Sequence, residues 1–163
     1  WICKRTPAHA VEAMECIGGS GVMEDCIMPR LFRESPVNSI WEGSGNVQCL
    51  DMLRAMHRQP GAVDAFMAEV QAGRGADARL DRAMATLGSE LADQTDIEYR
   101  ARGVVEKMAL ALQGSLLLRS GNAAVADAFC ASRLGGECSG LTFGNLPRGV
   151  DCAALINRAT PRL

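Results

Sequence analysis

Leu80, Met84, Leu87 and Leu91 recur at spacings of four, three and four residues. That spacing puts all four on one face of a helix and cannot put them on one face of a strand. The same signal repeats along the chain. Val63, Phe66, Met67 and Val70 form an earlier face, stopped by Gly73-Arg74-Gly75. Ile97, Ala101, Val104, Met108, Leu112 and Leu116 form a longer one. Val125, Ala128 and Phe129 mark another, ending near Gly135-Gly136. Residues 137–149 read as loop, and a short last helix is predicted from Val150 to Arg158. No stretch alternates as a half-buried strand would, and aromatic residues make up 4% of the chain. The sequence therefore predicts an all-α protein, an antiparallel helix bundle with short connections. Gly103 and Gly114 each weaken the long helix by about 1 kcal/mol relative to Ala, so close packing is expected at both.

The first third is less regular. Thr6-Pro7 reads as an N-cap followed by proline at the first helical position, with residues 1–5 open to being the end of an earlier helix that Pro7 interrupts. Val11, Met14 and Ile17 give a short apolar stripe, and Gly18-Gly19 reads as its C-terminal stop. Residues 19–45 hold Gly19, Gly21, Pro29, Pro36, Gly43 and Gly45, a long connection with at most a short helix from Pro29 to Glu34. Long irregular segments in compact domains are functional or disordered. Val22, Ile27, Met28, Leu31, Phe32, Val37, Ile40 and Trp41 make this one too apolar for disorder. From Asn46 to His57, Val47, Cys49, Leu50, Met52, Leu53 and Met56 cover more than half the circumference, so that helix is expected to be buried on most sides. Gln59-Pro60-Gly61 is a breaker and the best boundary, dividing 1–59 from 60–163.

Charge and cysteine usage narrow the function. Seventeen basic residues face 19 acidic ones, which argues against a purely electrostatic nucleic-acid binder. Residues 62–112 hold 6 basic and 9 acidic side chains, and residues 113–163 hold 5 and 3. The seven cysteines, at 3, 16, 26, 49, 130, 138 and 152, include no Cys-x-x-Cys. With only His9 and His57 beside them, no metal site is expected. Free, mostly buried thiols in a reducing, cytoplasmic setting are the simpler reading. No apolar run reaches the roughly 20 residues that span a bilayer.

The chemistry concentrates at Trp41-Glu42-Gly43-Ser44-Gly45. A carboxylate and a hydroxyl sit among glycines, just before a helix N-terminus, where anions are favoured. The stretch resembles the C-terminal signature of the acyl-CoA dehydrogenase family at Pro29, Arg33-Glu34 and Glu42-Gly43-Ser44. Upstream, Glu15-Cys16-Ile17-Gly18-Gly19-Ser20-Gly21 resembles the family's Gln-x-x-Gly-Gly-x-Gly element, with Glu15 where Gln is usual. Trp41 to Asn46, followed by a long helical tail, is most similar to the alkylation-response, AidB-like branch. The likeness is strong over residues 1–58.

The resemblance implies that residues 1–59 are part of the family's C-terminal helical domain. Residues 60–163 would be an additional helical region packing on it. It implies FAD as cofactor, an acyl-CoA as substrate and a homotetramer. Glu42 would be the catalytic base that removes the thioester α-proton, and Glu42 and Gly43 the substrate contacts. Ser44, Gly45 and Asn46 would contact the flavin. Glu15, Gly18 and Gly19 would meet its phosphate–adenine end from a neighbouring subunit, although a carboxylate beside a pyrophosphate is electrostatically worse than an amide. Ser44 and Asn46 could equally act as helix N-caps, and Glu42 could be an ordinary solvated carboxylate. Arg33 and Glu34 are expected to hold the loop's shape, and His9 and His57 to pack.

The branch also implies a second function, duplex-DNA binding by the helical tail. Arg74, Arg79, Arg82, Arg100, Arg102, Lys107, Arg119 and Arg133 are the candidates. Asp77, Asp81, Glu90, Asp93, Asp96, Glu98 and Glu106 lie among them, so a mixed solvated surface is the other reading. The chain opens on Trp1-Ile2-Cys3-Lys4 with no preceding Met. With the resemblance, this leads one to expect the C-terminal part of a longer protein, without turnover of its own.

Overall fold

The computed structural model describes residues 1–136 and 143–161. Within them the chain runs α1 (Ile2–Ile17), α2 (Met28–Glu34), α3 (Gly45–Arg58), α4 (Pro60–Gln71), α5 (Ala78–Ala92), α6 (Ile97–Arg119), α7 (Ala123–Phe129) and α8 (Cys152–Ala159). Two 3₁₀ turns, Gly18–Val22 and Ser35–Ser39, flank α2, and a π turn, Cys130–Leu134, extends α7. There is no strand among the described residues. The all-α class is as expected. Cys138 and residues 137–142 of the expected 137–149 loop lie outside the described residues. Among the described cysteines, Cys49 and Cys130 are buried while Cys3, Cys16 and Cys152 are exposed, which corrects the expectation of mostly buried thiols.

Local chemistry explains several helix starts. Gln59 alone separates α3 from α4, and Pro60 opens α4, where its missing N–H costs nothing. Asp77 caps α5 by accepting from Arg79 N at 2.7 Å. Asn122 caps α7 by accepting from Val125 N at 3.1 Å. Asp151 caps α8 by accepting from Ala154 N at 2.9 Å. The expected start at Thr6-Pro7 is corrected. Helix α1 begins at Ile2 and runs through Pro7. Thr6 does not cap; its hydroxyl donates to Ile2 O at 3.0 Å. Proline inside a helix removes one backbone bond, and the packing of α1 on α2 and both 3₁₀ turns holds the helix together. Gly21 makes that packing possible, since a Cβ there would lie 2.5 Å from Met14 O.

Two buried clusters join the helices. Val70, Leu80, Met84, Leu87 and Ala111 unite α4, α5 and α6. Cys49, Leu53, Ile97 and Ala101 unite α3 and α6. Helices α5 and α6 are antiparallel. Leu80, near the start of α5, packs beside Gly114, near the end of α6. Glu90, near the end of α5, pairs with Arg100 at 2.6 Å and with Lys107.

The buried stripe of α6 departs from the expected one. Ile97, Ala101, Val104, Ala111 and Ser115 are buried, whereas Leu116 is 47% exposed. A strict step of four drifts around the helix, while alternating steps of four and three stay on the seam. Close packing is met at Gly114, where a Cβ would be 2.8 Å from Leu134 Cδ1. It is not met at Gly103, where a Cβ would touch nothing within 4 Å. Helix α3 also departs from expectation. Cys49 and Leu53 are buried, but Val47 is 56% exposed and Leu50 is exposed, so one apolar face is open. The same holds along the connection before it, where Val22, Ile27, Leu31, Phe32, Val37 and Ile40 are exposed.

Two outcomes test this packing. Leu87, fully buried between α5 and α6, should lose about 3 kcal/mol of stability on Leu87→Ala, read by urea denaturation; an unchanged midpoint contradicts the core assignment. Asp77 has its carboxyl held below the usual carboxylate range, chiefly by its hydrogen bond from the Arg79 side chain. A depressed pKa contributes stability that is complete above the unfolded value, about 3.9. It is lost as pH falls through the folded value. Asp77→Asn keeps the cap and removes the charge. It should therefore destabilise at pH 7, and the deficit should shrink as pH falls below about 4; a deficit independent of pH contradicts the pairing.

Candidate active site

The loop before α3 is shaped by three backbone facts. Trp41 N donates to Val37 O at 3.1 Å and Gly43 N to Ile40 O at 3.1 Å, so residues 37–43 form overlapping turns. Gly43 has φ +121°, which L side chains rarely adopt. Ser44 is extended, with φ −64° and ψ 164°, and Gln48 N donates to its carbonyl at 3.0 Å to begin the helix. Glu42 leaves the chain just before this corner.

One side chain fixes the corner from within α3. Gln48 Nε2 donates to Glu42 O at 2.7 Å. It ties the peptide after Glu42 to the first turn of the helix. Ser44 occupies the N-cap position, yet its side chain makes no capping hydrogen bond. The position anticipated for it is observed and the capping bond is not. Its hydroxyl is exposed and open to another partner.

A cavity of about 550 Å³ opens beside this loop. Glu42, Gly43, Gly45 and Gln48 line it on one side, Lys4 and Arg5 of α1 on another, and Arg102, Val105 and Glu106 of α6 on a third. Three cations thus share the space with two carboxylates. Arg102 comes closest to the loop. Its Nη1 donates to Asn46 Oδ1 at 3.5 Å, a long bond. A Cβ on Gly45 would lie 3.1 Å from its Nη2.

Glu42 is exposed, and its neighbour Trp41 is 68% exposed. These two residues therefore do not give a carboxylate base the dry surroundings that burial would provide. Glu15, Gly18 and Gly19 are also exposed and do not line the cavity. Gly18 has φ +73° and ends α1, as expected, by donating from its N–H to Glu15 O. A Cβ on Gly18 or Gly19 would meet nothing within 4 Å. The two glycine-bearing elements stand at opposite ends of α1. Lys4 and Gly18 are about 20 Å apart along its axis at 1.5 Å per residue.

The remaining candidates have structural roles. Arg33 makes a two-pronged pair with Glu24, at 2.6 and 3.1 Å, which braces the connection as expected. Glu34 pairs with Arg30 at 3.0 Å. His9 stacks near Phe143, with ring centroids 6.1 Å apart. Of the basic tail residues, Arg79 binds Asp77 and Asp127, Arg100 and Lys107 bind Glu90, and Arg119 binds Glu69. Arg133 lies over the Phe143 ring at 6.0 Å. No cluster suited to a metal ion occurs among the described residues, and no described helix is long and apolar enough to cross a membrane.

Residues 2–57 match the family described as acyl-CoA dehydrogenase, C-terminal domain. Two curated relatives extend the comparison. AidB of Escherichia coli (strain K12) is 40% identical over 129 residues, 79% of this chain and 24% of AidB. A stretch of that length must include residues 35–129, and so both the Glu42 loop and α6. Acyl-CoA dehydrogenase family member 11 of Caenorhabditis elegans is 43% identical over 60 residues, 37% of this chain and 10% of that protein. The chain thus spans about a quarter or less of the relatives it matches. Sequence reasoning missed the part Gln48 plays at the loop and did not connect Arg102 with it. Gln48 follows Ser44 by one helical turn, a readable signal. Nothing local connects Arg102 to a loop 56 positions earlier.

Gly43→Ala should cost about 1–3 kcal/mol in denaturant unfolding, because its φ is open only to glycine. Gly19→Ala, at an unobstructed position, should change little. Equal effects would contradict the strained corner.

Proposed function

We propose that this chain is the C-terminal part of an FAD-dependent acyl-CoA dehydrogenase-like oxidoreductase, with Glu42 as its catalytic base. The observation that carries the reading is the placement of Glu42. It stands at the lip of a cavity, on a corner held by Gly43 and Gln48, inside the segment that matches the family. Residues 1–59 form the family domain in this reading, and residues 60–163 an additional helical region packed on it.

The residues present fit a flavin. Ser44 offers an exposed hydroxyl that no cap bond engages. Gly45 and Asn46 offer the first N–H groups of α3, and Gly18 and Gly19 offer unobstructed backbone. When bound, FAD supplies the acceptor for the β-hydride. Ser44, Gly45 and Asn46 would hold one end, and Gly18, Gly19 and Glu15 would meet the phosphate–adenine end of a cofactor held by another copy in a homotetramer. Glu42 takes the α-proton of the acyl-CoA onto its carboxylate. The electron pair of that C–H bond becomes the new carbon–carbon double bond as hydride leaves the β-carbon. Gly43, without a side chain, lets the thioester approach. Water must be excluded from Glu42 by protein beyond this chain, since Glu42 and Trp41 are exposed here.

The alternative reading, a duplex-DNA-binding alkylation-response protein, has weaker support. Arg79, Arg100, Lys107 and Arg119 are engaged by carboxylates. Phosphate contacts by the tail would give affinity falling steeply with salt.

In the intact protein, Glu42→Gln should lower acyl-CoA turnover at least about 100-fold while flavin absorbance is kept; unchanged turnover would sink the assignment. The 163-residue chain alone should show no acyl-CoA oxidation, and detectable oxidation would overturn the need for further protein around Glu42.

A further inference from the structure

The region outside the family match supplies one wall of the Glu42 cavity. Arg102, Val105 and Glu106 all lie on α6, and the family segment ends at residue 57. Arg102 is the member that touches the loop. Its guanidinium occupies the space that a side chain on Gly45 would fill, 3.1 Å from a Cβ there, and it donates to Asn46 Oδ1 at 3.5 Å. Those are the first two residues of α3.

That placement does not serve α3 itself. A cation at a helix N-terminus opposes the dipole and is electrostatically unfavourable. It does serve the geometry of the loop. Gln48 holds the peptide after Glu42 from within α3. Arg102 holds the first turn of α3 from across the cavity, on a helix that is itself anchored by buried Ile97, Ala101 and Val104. One side chain bonds to the carbonyl of Glu42 and the other to Asn46, so the two bracket the turn that leads from Glu42 into α3. Lys4, Arg5 and Glu106 are the other charged groups facing the same space.

We propose that Arg102 is a positioning residue for the Glu42 loop, by which the additional helical region sets the geometry of the site. The idea rests on the reading of Glu42 as the base, but it can fail separately.

The test uses the intact protein with Arg102→Ala, Arg102→Lys, Asn46→Ala and the double variant Arg102→Ala/Asn46→Ala. Hydrogen exchange by mass spectrometry is the first readout. Arg102→Ala should speed exchange in the 43–49 segment about tenfold, with the α5 segment around Leu80 and Leu87 unchanged. Arg102→Lys should restore most of the protection. Asn46→Ala should reproduce the local change, and the double variant should add nothing to it. Unchanged exchange in 43–49, or a rise spread equally over α5 and α6, overturns the proposal. If Arg102→Ala does not fold, Asn46→Ala and Arg102→Lys still decide, because exchange in Asn46→Ala equal to the parent's also overturns it. The second readout is kinetic. Arg102→Ala should lower kcat about tenfold with KM within about twofold, since misplacing a base costs rate and not binding. Full turnover in Glu42→Gln would remove the base and leave the exchange experiment to judge Arg102 alone. A normal loss in Glu42→Gln with no exchange effect of Arg102→Ala would remove this proposal alone.

Discussion

Helix α6 has to be met on several sides at once. It packs against α3, α4, α5, α7 and the π turn. Small residues make this feasible. Ala101, Ala111 and Ser115 are almost fully buried, and Gly114 leaves room for Leu134. Where a helix offers so little side chain, its neighbours must supply the bulk, and Leu80, Leu87 and Val70 do so. Ser115 then needs a partner in the core and donates to Glu69 O at 3.3 Å. The polar links between the helices sit at the edges of this packing. Glu90, held between Arg100 and Lys107, has its carboxyl kept below the usual range by those cations, Lys107 first. These half-exposed pairs add alignment more than stability.

The site depends on the same helix. Its carboxylate stands on a loop with exposed apolar neighbours, yet the corner beneath it is fixed by Gln48, by the φ of Gly43 and by a guanidinium reaching over from α6. A site built this way has a rigid base and an open face. Trp41, Ile40 and Val37, close to Glu42 in the chain, are exposed. A base acting on a weakly acidic α-proton needs surroundings drier than this chain provides. The proposed chemistry therefore requires further protein against these residues.

Much of this was legible in the sequence because its signals are local. The four-three-four run from Leu80 to Leu91, the break at Gln59-Pro60, and Gly18 as a helix stop each follow from a few adjacent residues. The Glu42-Gly43-Ser44 motif also stood out, since glycines around a carboxylate are uncommon without a backbone reason. What escaped was non-local or ran against local propensity. Pro7 reads as a helix start, and packing of α1 on residues far along the chain overrode it. Leu116 reads as core because leucine is apolar, while the true seam passes through Gly114 and Ser115, which carry no apolar signal. Val47 and Leu50 read as buried from the pattern alone, and no pattern says which other surface covers them. The pairing of Arg102 with the first turn of α3 exists only because α6 folds back across α3. Read in the sequence, Arg102 was one basic residue among eight in the tail.

The central claim is that Glu42 removes a proton from the carbon beside a thioester. Incubating the intact protein with an acyl-CoA in D₂O and following deuterium at the α-carbon measures that step directly, apart from any oxidation. The account predicts exchange with the parent protein and its loss with Glu42→Gln. Exchange that persists in Glu42→Gln, or none with the flavin-bound parent, would contradict it.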